Sequence, residues 1–194
     1  MKRILLLLAA AFIFGSVMPT MAQQKKTPVK QAGNNSAAKF ILGNGELGPL
    51  SIGQTVSSLP KSVAGLYDSF KYVNETYENE MEGEMETIEQ CEFYKGGKRI
   101  FCAMTPNKKI ESFELYEGSS FIHTVDGIYV GYPARSLFTK YRSKKWTPPY
   151  YYGETCCVNG RYEYVMPVII EGERTPSKTT DFSSNAKVTT IRHR

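Results

Sequence analysis

Apolar and polar positions in this 194-residue chain alternate over short runs, except at the N-terminus, where apolar residues form one block. The block is Ile4 to Gly15, preceded by Lys2 and Arg3 and followed by Thr20-Met21-Ala22. A positive start, a short apolar stretch and small residues before a cut make the layout of a secretory signal peptide. The stretch is shorter than the roughly 20 residues of a membrane anchor. Cleavage is expected after Ala22. That leaves an exported chain, periplasmic or extracellular, soluble and without a membrane span. Residues Gln23 to Lys39 hold four Lys, no acid and almost no large apolar side chain. Such a segment cannot bury enough surface to order itself, so residues 23–44 are expected to be a flexible basic leader.

Further along, an extended apolar-x-apolar pair runs into a glycine twice, at Leu50-Ser51-Ile52-Gly53 and at Ile128-Tyr129-Val130-Gly131. Ser58 and Leu59 match Ser136 and Leu137 at the same spacing, and NKKIESFELY at 107–116 overlays NAKVTTIRHR at 185–194. Two separated matches at one spacing predict an internal repeat. A short helix is expected after each glycine, over Thr55–Tyr67 with a break near Pro60, and over Pro133–Arg142. Pro at a first helical turn forfeits no hydrogen bond. Alternation predicts strands at Met85–Lys95, Arg99–Met104 and Lys109–Tyr116, with turns at Gly96-Gly97 and Pro106-Asn107. Asn159-Gly160 is a hairpin signal joining Glu154–Val158 to Arg161–Ile170. A polar loop over 171–184 and a last strand at Ala186–His193 follow, and Phe121–Val130 links the two parts. The expected fold is therefore α+β: two related units, residues 45–122 and 123–194. Each would pack a short helical segment on a three- to four-stranded antiparallel sheet.

The glycine turns at Gly53 and Gly131, each followed by a helix with a Ser-Leu pair and then a meander, resemble the repeat of the beta-lactamase-inhibitor-protein-like superfamily. They also resemble the small outer-membrane lipoproteins of the barrel-assembly machine. The resemblance implies a non-catalytic binding module of the bacterial cell envelope, extending over residues 45–194. The chain departs from the lipoproteins in having no Cys near the expected cut.

Charge sharpens this picture. Residues 45–122 carry 7 basic and 13 acidic side chains, whereas residues 123–194 carry 11 basic and 6 acidic. A dipolar molecule lacks the continuous basic face of a nucleic-acid binder. It suits docking between the units or with a partner of matching polarity. Glu75, Glu78, Glu80, Glu82, Glu84 and Glu86 mostly alternate, as one solvated face of an extended segment does. Asp is absent there, which argues against calcium. No phosphate loop, Gly-x-Ser-x-Gly or His-Glu-x-x-His occurs, and only His123 and His193 could join the thiols in a metal site. No cofactor or metal is expected, and the chain reads as a non-enzyme. A hydrolase using paired carboxylates and a structural envelope component are the alternatives.

Two local features carry candidate roles. Counting outward from Gly96-Gly97 sets Lys95 against Lys98, Phe93 against Ile100 and Cys91 against Cys102, a spacing that suits a disulfide. Cys156 and Cys157 are neighbours whose side chains should face opposite ways in a strand, one buried and one exposed. The segment from Lys144 to Tyr152 holds the one Trp and three consecutive Tyr beside Pro148-Pro149. Trp146, Tyr150 and Tyr151, flanked by Lys144 and Lys145, are candidates for a surface that binds a protein or glycan ligand. A lid over one end of the sheet is the other role that fits them.

Overall fold

The computed structural model describes residues 39–79, 84–149, 153–170 and 172–194. The expected signal peptide, most of the leader, Tyr150 and Tyr151 lie outside them. In chain order the strands are β1 (Phe40–Gly43), β2 (Glu46–Leu47), β3 (Leu50–Ser51), β4 (Ser69–Asn79), β5 (Glu84–Lys95), β6 (Lys98–Met104), β7 (Ser112–Leu115) and β8 (Ile122–Thr124). Helix α1 (Ala134–Lys140) precedes β9 (Lys145–Trp146), β10 (Glu154–Asn159), β11 (Tyr162–Pro167) and β12 (Thr190–His193).

These strands form two sheets, and the expected α+β class is overturned. The larger sheet has eight antiparallel strands in the order β4-β5-β6-β7-β12-β11-β10-β9, and the smaller has the order β3-β2-β1-β8. The meanders of both expected units thus join edge to edge through β7 and β12 into one sheet. The described residues contain a single α-helix, of seven residues. Over Thr55–Tyr67 only a 3₁₀ turn at Val56–Ser58 forms. Pro60 cannot donate a helical hydrogen bond, and Gly65 sits at φ +80°, turning the chain back so that Val63 bridges Tyr67. In the second helix Pro133 occupies the cap, and Ala134, Leu137 and Phe138 make one buried face at helical spacing.

Part of the expected leader, residues 40–43, is a strand. Phe40–Gly43 forms β1, which pairs in parallel with β8, and Leu42 is fully buried. One face of the large sheet is apolar: Phe93, Phe101, Phe113, Leu115, Ile191, Tyr164 and Met166 belong to a single core with Leu42, Leu47, Leu50 and Leu137. The Tyr162 hydroxyl donates to the Leu42 carbonyl at 2.6 Å, and the Tyr141 ring stacks on Tyr164 at 5.7 Å. The opposite face carries a polar row. Lys71, Glu92, Cys102, Glu114, Arg192, Glu163, Val158 and Lys145 meet in register across all eight strands. Arg192 donates to Glu114 at 2.9 Å, so a basic residue of the second half is neutralised by an acid of the first at the β7–β12 seam.

Some contacts recur at one spacing. Glu114 and Arg192, which face each other, are 78 residues apart. At that same separation the Gly53 N–H donates to Ile110 at 2.7 Å and the Gly131 N–H donates to Val188 at 2.8 Å. Ile110 donates to Gln54, and Val188 to Tyr132, both at 2.9 Å. The bridge between Thr55 and Lys109 is matched by that between Pro133 and Lys187. Gly53 and Gly131 both have positive φ, which the sharp turn requires and which favours glycine.

The Cys91–Cys102 bridge is corrected by the register. Lys95 faces Lys98 and Tyr94 faces Arg99, but a bulge follows and Phe93 faces Phe101. Cys91 therefore opposes Ala103, Cys102 opposes Glu92, and the two sulfurs lie on opposite faces of the sheet. The bulged residue is Ile100, buried under Gly118, with its carbonyl accepting from the Tyr116 N–H at 2.9 Å. All four thiols are free and buried, Cys156 and Cys157 alike.

Candidate functional site

The feature that departs most from a closed sheet is the β4–β5 hairpin. These strands pair over their whole length, from Ser69↔Tyr94 to Asn79↔Glu84. β6 covers β5 only from Lys95 back to Gln90. Glu84–Glu89 and their β4 partners therefore run on past the end of β6 as a two-stranded arm. Phe70, Tyr72, Val73, Thr76 and Tyr77 supply aromatic and β-branched side chains that favour the extended state. Two side-chain contacts tie the arm across: the Thr76 and Thr87 hydroxyls at 3.0 Å, and the Tyr77 hydroxyl donating to Glu86 at 2.6 Å. Tyr77 and Met85 are exposed apolar side chains, Met85 by 66%.

Backbone direction on β5 follows from one hydrogen bond. Thr105 N–H donates to the Glu89 carbonyl at 2.7 Å, so Glu89 faces the β6 side. Polar groups of a strand alternate sides with every residue. Thr87 and Met85 therefore direct their N–H and C=O to that same side, where no described strand pairs with them. Ile88 and Glu86 direct theirs to β4.

The missing length of β6 leaves a cleft of about 660 Å³ at the base of the arm. Thr87 and Glu89 form one wall, Met104, Pro106 and Asn107 the second, and Glu111, Ser112 and Arg194 the third. The turn beside it is tight. Asn107 and Lys108 both adopt left-handed backbone, at φ 56° and 58°. Consecutive non-glycine residues there are unfavourable and persist only where neighbours impose them. Lys108 N–H donates to the Thr105 carbonyl at 2.9 Å and to Glu89 at 3.4 Å, which supplies that constraint. Arg194 donates to Glu163 at 3.2 Å, so its charge is already shared with the outer face of the sheet.

Of the candidate aromatic rings, Trp146 is the one among the described residues. Trp146 is a core residue, only 8% exposed, its indole N–H donating to the Tyr141 carbonyl at 3.0 Å. Its ring packs on Phe138 at 5.2 Å and Phe182 at 5.7 Å. Lys144 and Lys145 are exposed. The signal for the arm in the sequence is a β-branched and aromatic run at 70–77 followed by the alternating Glu residues, and neither run marks a site by itself.

Reactive groups are quenched by burial. Desolvation pushes the Cys91, Cys102 and Cys156 thiols up to about 11 and Cys157 to about 12. All four are protonated at neutral pH and poor nucleophiles. Asp181 is the opposite case. Arg174, at 3.0 Å, and the N–H groups of Ser177 and Lys178, at 2.8 and 3.1 Å, hold its carboxyl well below the ordinary carboxylate range. That network closes the loop before β12. Among the described residues, no three His, Cys, Asp or Glu side chains are placed to hold a metal ion. No described helix is long and apolar enough to cross a membrane.

No protein-family model and no curated protein sequence matches this chain. Among solved structures it is similar to the uncharacterised protein YfeY from Escherichia coli, at 18% identity and a TM-score of 0.48. The likeness covers 74% of this chain and 95% of that one.

Proposed function

We propose that the mature chain is an exported, non-catalytic binding module that takes an extended segment of a partner protein as an added strand on β5. The observation that supports it is the overhang: β5 continues past β6, with the backbone groups of Thr87 and Met85 turned to an edge that no described strand covers, above a cleft. Strand addition draws affinity from main-chain hydrogen bonds and specificity from the side chains around them. A two-stranded arm is marginal in water, and a third strand would stabilise it. Export is supported by the signal pattern in residues 1–22.

Thr87→Pro tests the proposal. It removes one N–H from the open edge and leaves the β4 backbone ladder intact, because that N–H faces away from β4; Thr87→Val, which loses the Thr76 hydroxyl contact but keeps the N–H, is the control and should retain the partner. Envelope extract passed over immobilised mature chain should yield a partner that the proline variant, still folded by circular dichroism, fails to retain. Equal retention of every bound protein by the proline variant would refute edge binding.

A further inference from the structure

We infer that the strand added to β5 is cationic, with lysine or arginine side chains alternating with apolar ones. This rests on the open edge proposed above and names the chemistry of its occupant. Residues 74–89 contain seven Glu and no basic residue. The arm's two faces divide the described part of this charge. Register puts Glu75, Tyr77, Glu86 and Ile88 on one face, and Glu78, Met85, Thr87 and Glu89 on the other. Both faces are acidic and both carry an apolar side chain. A strand laid beside β5 therefore meets carboxylates whichever way its side chains point.

The cleft continues the pattern. Glu89 and Glu111 are the acids of its wall, and the guanidinium that could balance them, Arg194, is held by Glu163. A strand leaving the arm in line with β6 would run into this cleft, which both Glu89 and Glu111 line. Like charges along a ribbon repel one another, and an acidic occupant would add to that repulsion. A cationic one relieves it, and the apolar positions in between, which share one face of such a strand, can cover either Met85 or Ile88. Cross-strand pairs of opposite charge are the sheet's ordinary means of selecting a neighbour.

Two synthetic ten-residue peptides test this on the mature chain, residues 23–194: one of alternating Lys and Val, the other of alternating Glu and Val. The readout is amide hydrogen exchange by NMR. The Lys peptide should slow exchange at Met85 and Thr87 by at least tenfold and leave Glu86 and Ile88 little changed, since those already face β4. The Glu peptide should have no effect. Combined Glu78→Gln, Glu86→Gln and Glu89→Gln substitution should weaken Lys-peptide binding at least tenfold, and the wild-type affinity should fall as salt is raised. Equal slowing by both peptides would overturn the charge assignment and leave edge binding standing. No slowing at Met85 and Thr87 by either peptide would overturn both. Protection of those amides before any peptide is added would overturn the inference in favour of another occupant. If independent of concentration, that occupant is the chain's own basic leader; if it grows with concentration, it is a second copy.

Discussion

Replacing Trp146 by alanine separates a buried ring from a binding anchor in one experiment. The side chain is almost wholly enclosed, wedged between Phe138 on α1 and Phe182 before the last strand. Truncating such a ring removes its transfer energy and leaves a cavity, about 3–5 kcal/mol together. The lost hydrogen bond adds little, because the Tyr141 carbonyl still accepts the Lys144 N–H at 2.9 Å. For a domain of this size each kcal/mol lowers the melting temperature by about 2–4 °C, so the expected drop is about 6–20 °C. Trp146→Phe keeps part of the packing and should cost about 1–2 kcal/mol. Far-UV circular dichroism follows the unfolding of both variants. In the wild type the emission of this single tryptophan should be blue-shifted and should move red on unfolding. A melting temperature within about 2 °C of wild type, together with emission at the solvent-exposed wavelength, would refute the core placement and restore Trp146 as a surface anchor.

His193 supplies a pH prediction. It is buried against Tyr162, ring centroids 4.9 Å apart, with its Nδ1 lacking a hydrogen-bond partner among the described residues. Burial, then the Arg161 charge, lowers its pKa below the usual value. The unfolded chain therefore binds the proton first. Stability should be level above about pH 6.5 and fall below it, as far as the folded-state pKa; urea titrations of His193→Phe should show a flatter profile below about pH 6.5. The cysteines give another. Alkylation after denaturation without reductant should label four thiols, and native protein should react slowly because each sulfur is buried and protonated; a linked Cys91–Cys102 peptide would contradict the bulged register.

What the sequence by itself determined about this protein is its local turns and starts. Asn159-Gly160 marks a hairpin, and in the fold Asn159 pairs with Tyr162 across it. Pro133 begins a helix, and Gly53 and Gly131 take the positive φ of sharp turns. These are properties of a few adjacent residues, and the chain chemistry within that span suffices to specify them. Tertiary structure decided the rest. The pattern of Ser69–Asn79 suits a strand, but its role depends on pairing with β5, which nothing in its own residues reveals. Joining of the two meanders through β7 and β12 depends on matching edges that are 78 residues apart. A single bulged residue, Ile100, moved Cys102 from opposite Cys91 to opposite Glu92, because consecutive buried side chains at Ile100 and Phe101 cannot both be accommodated by strict alternation. The edge of β5 beyond β6 is the plainest case. An open strand edge is defined by where a neighbouring strand stops, and the length of β6 is set by the turn at Pro106–Lys108 and its contact with Glu89. Trp146 carries the same aromatic surface in a core or at an interface, and only the placement of Phe138 and Phe182 around it settles which.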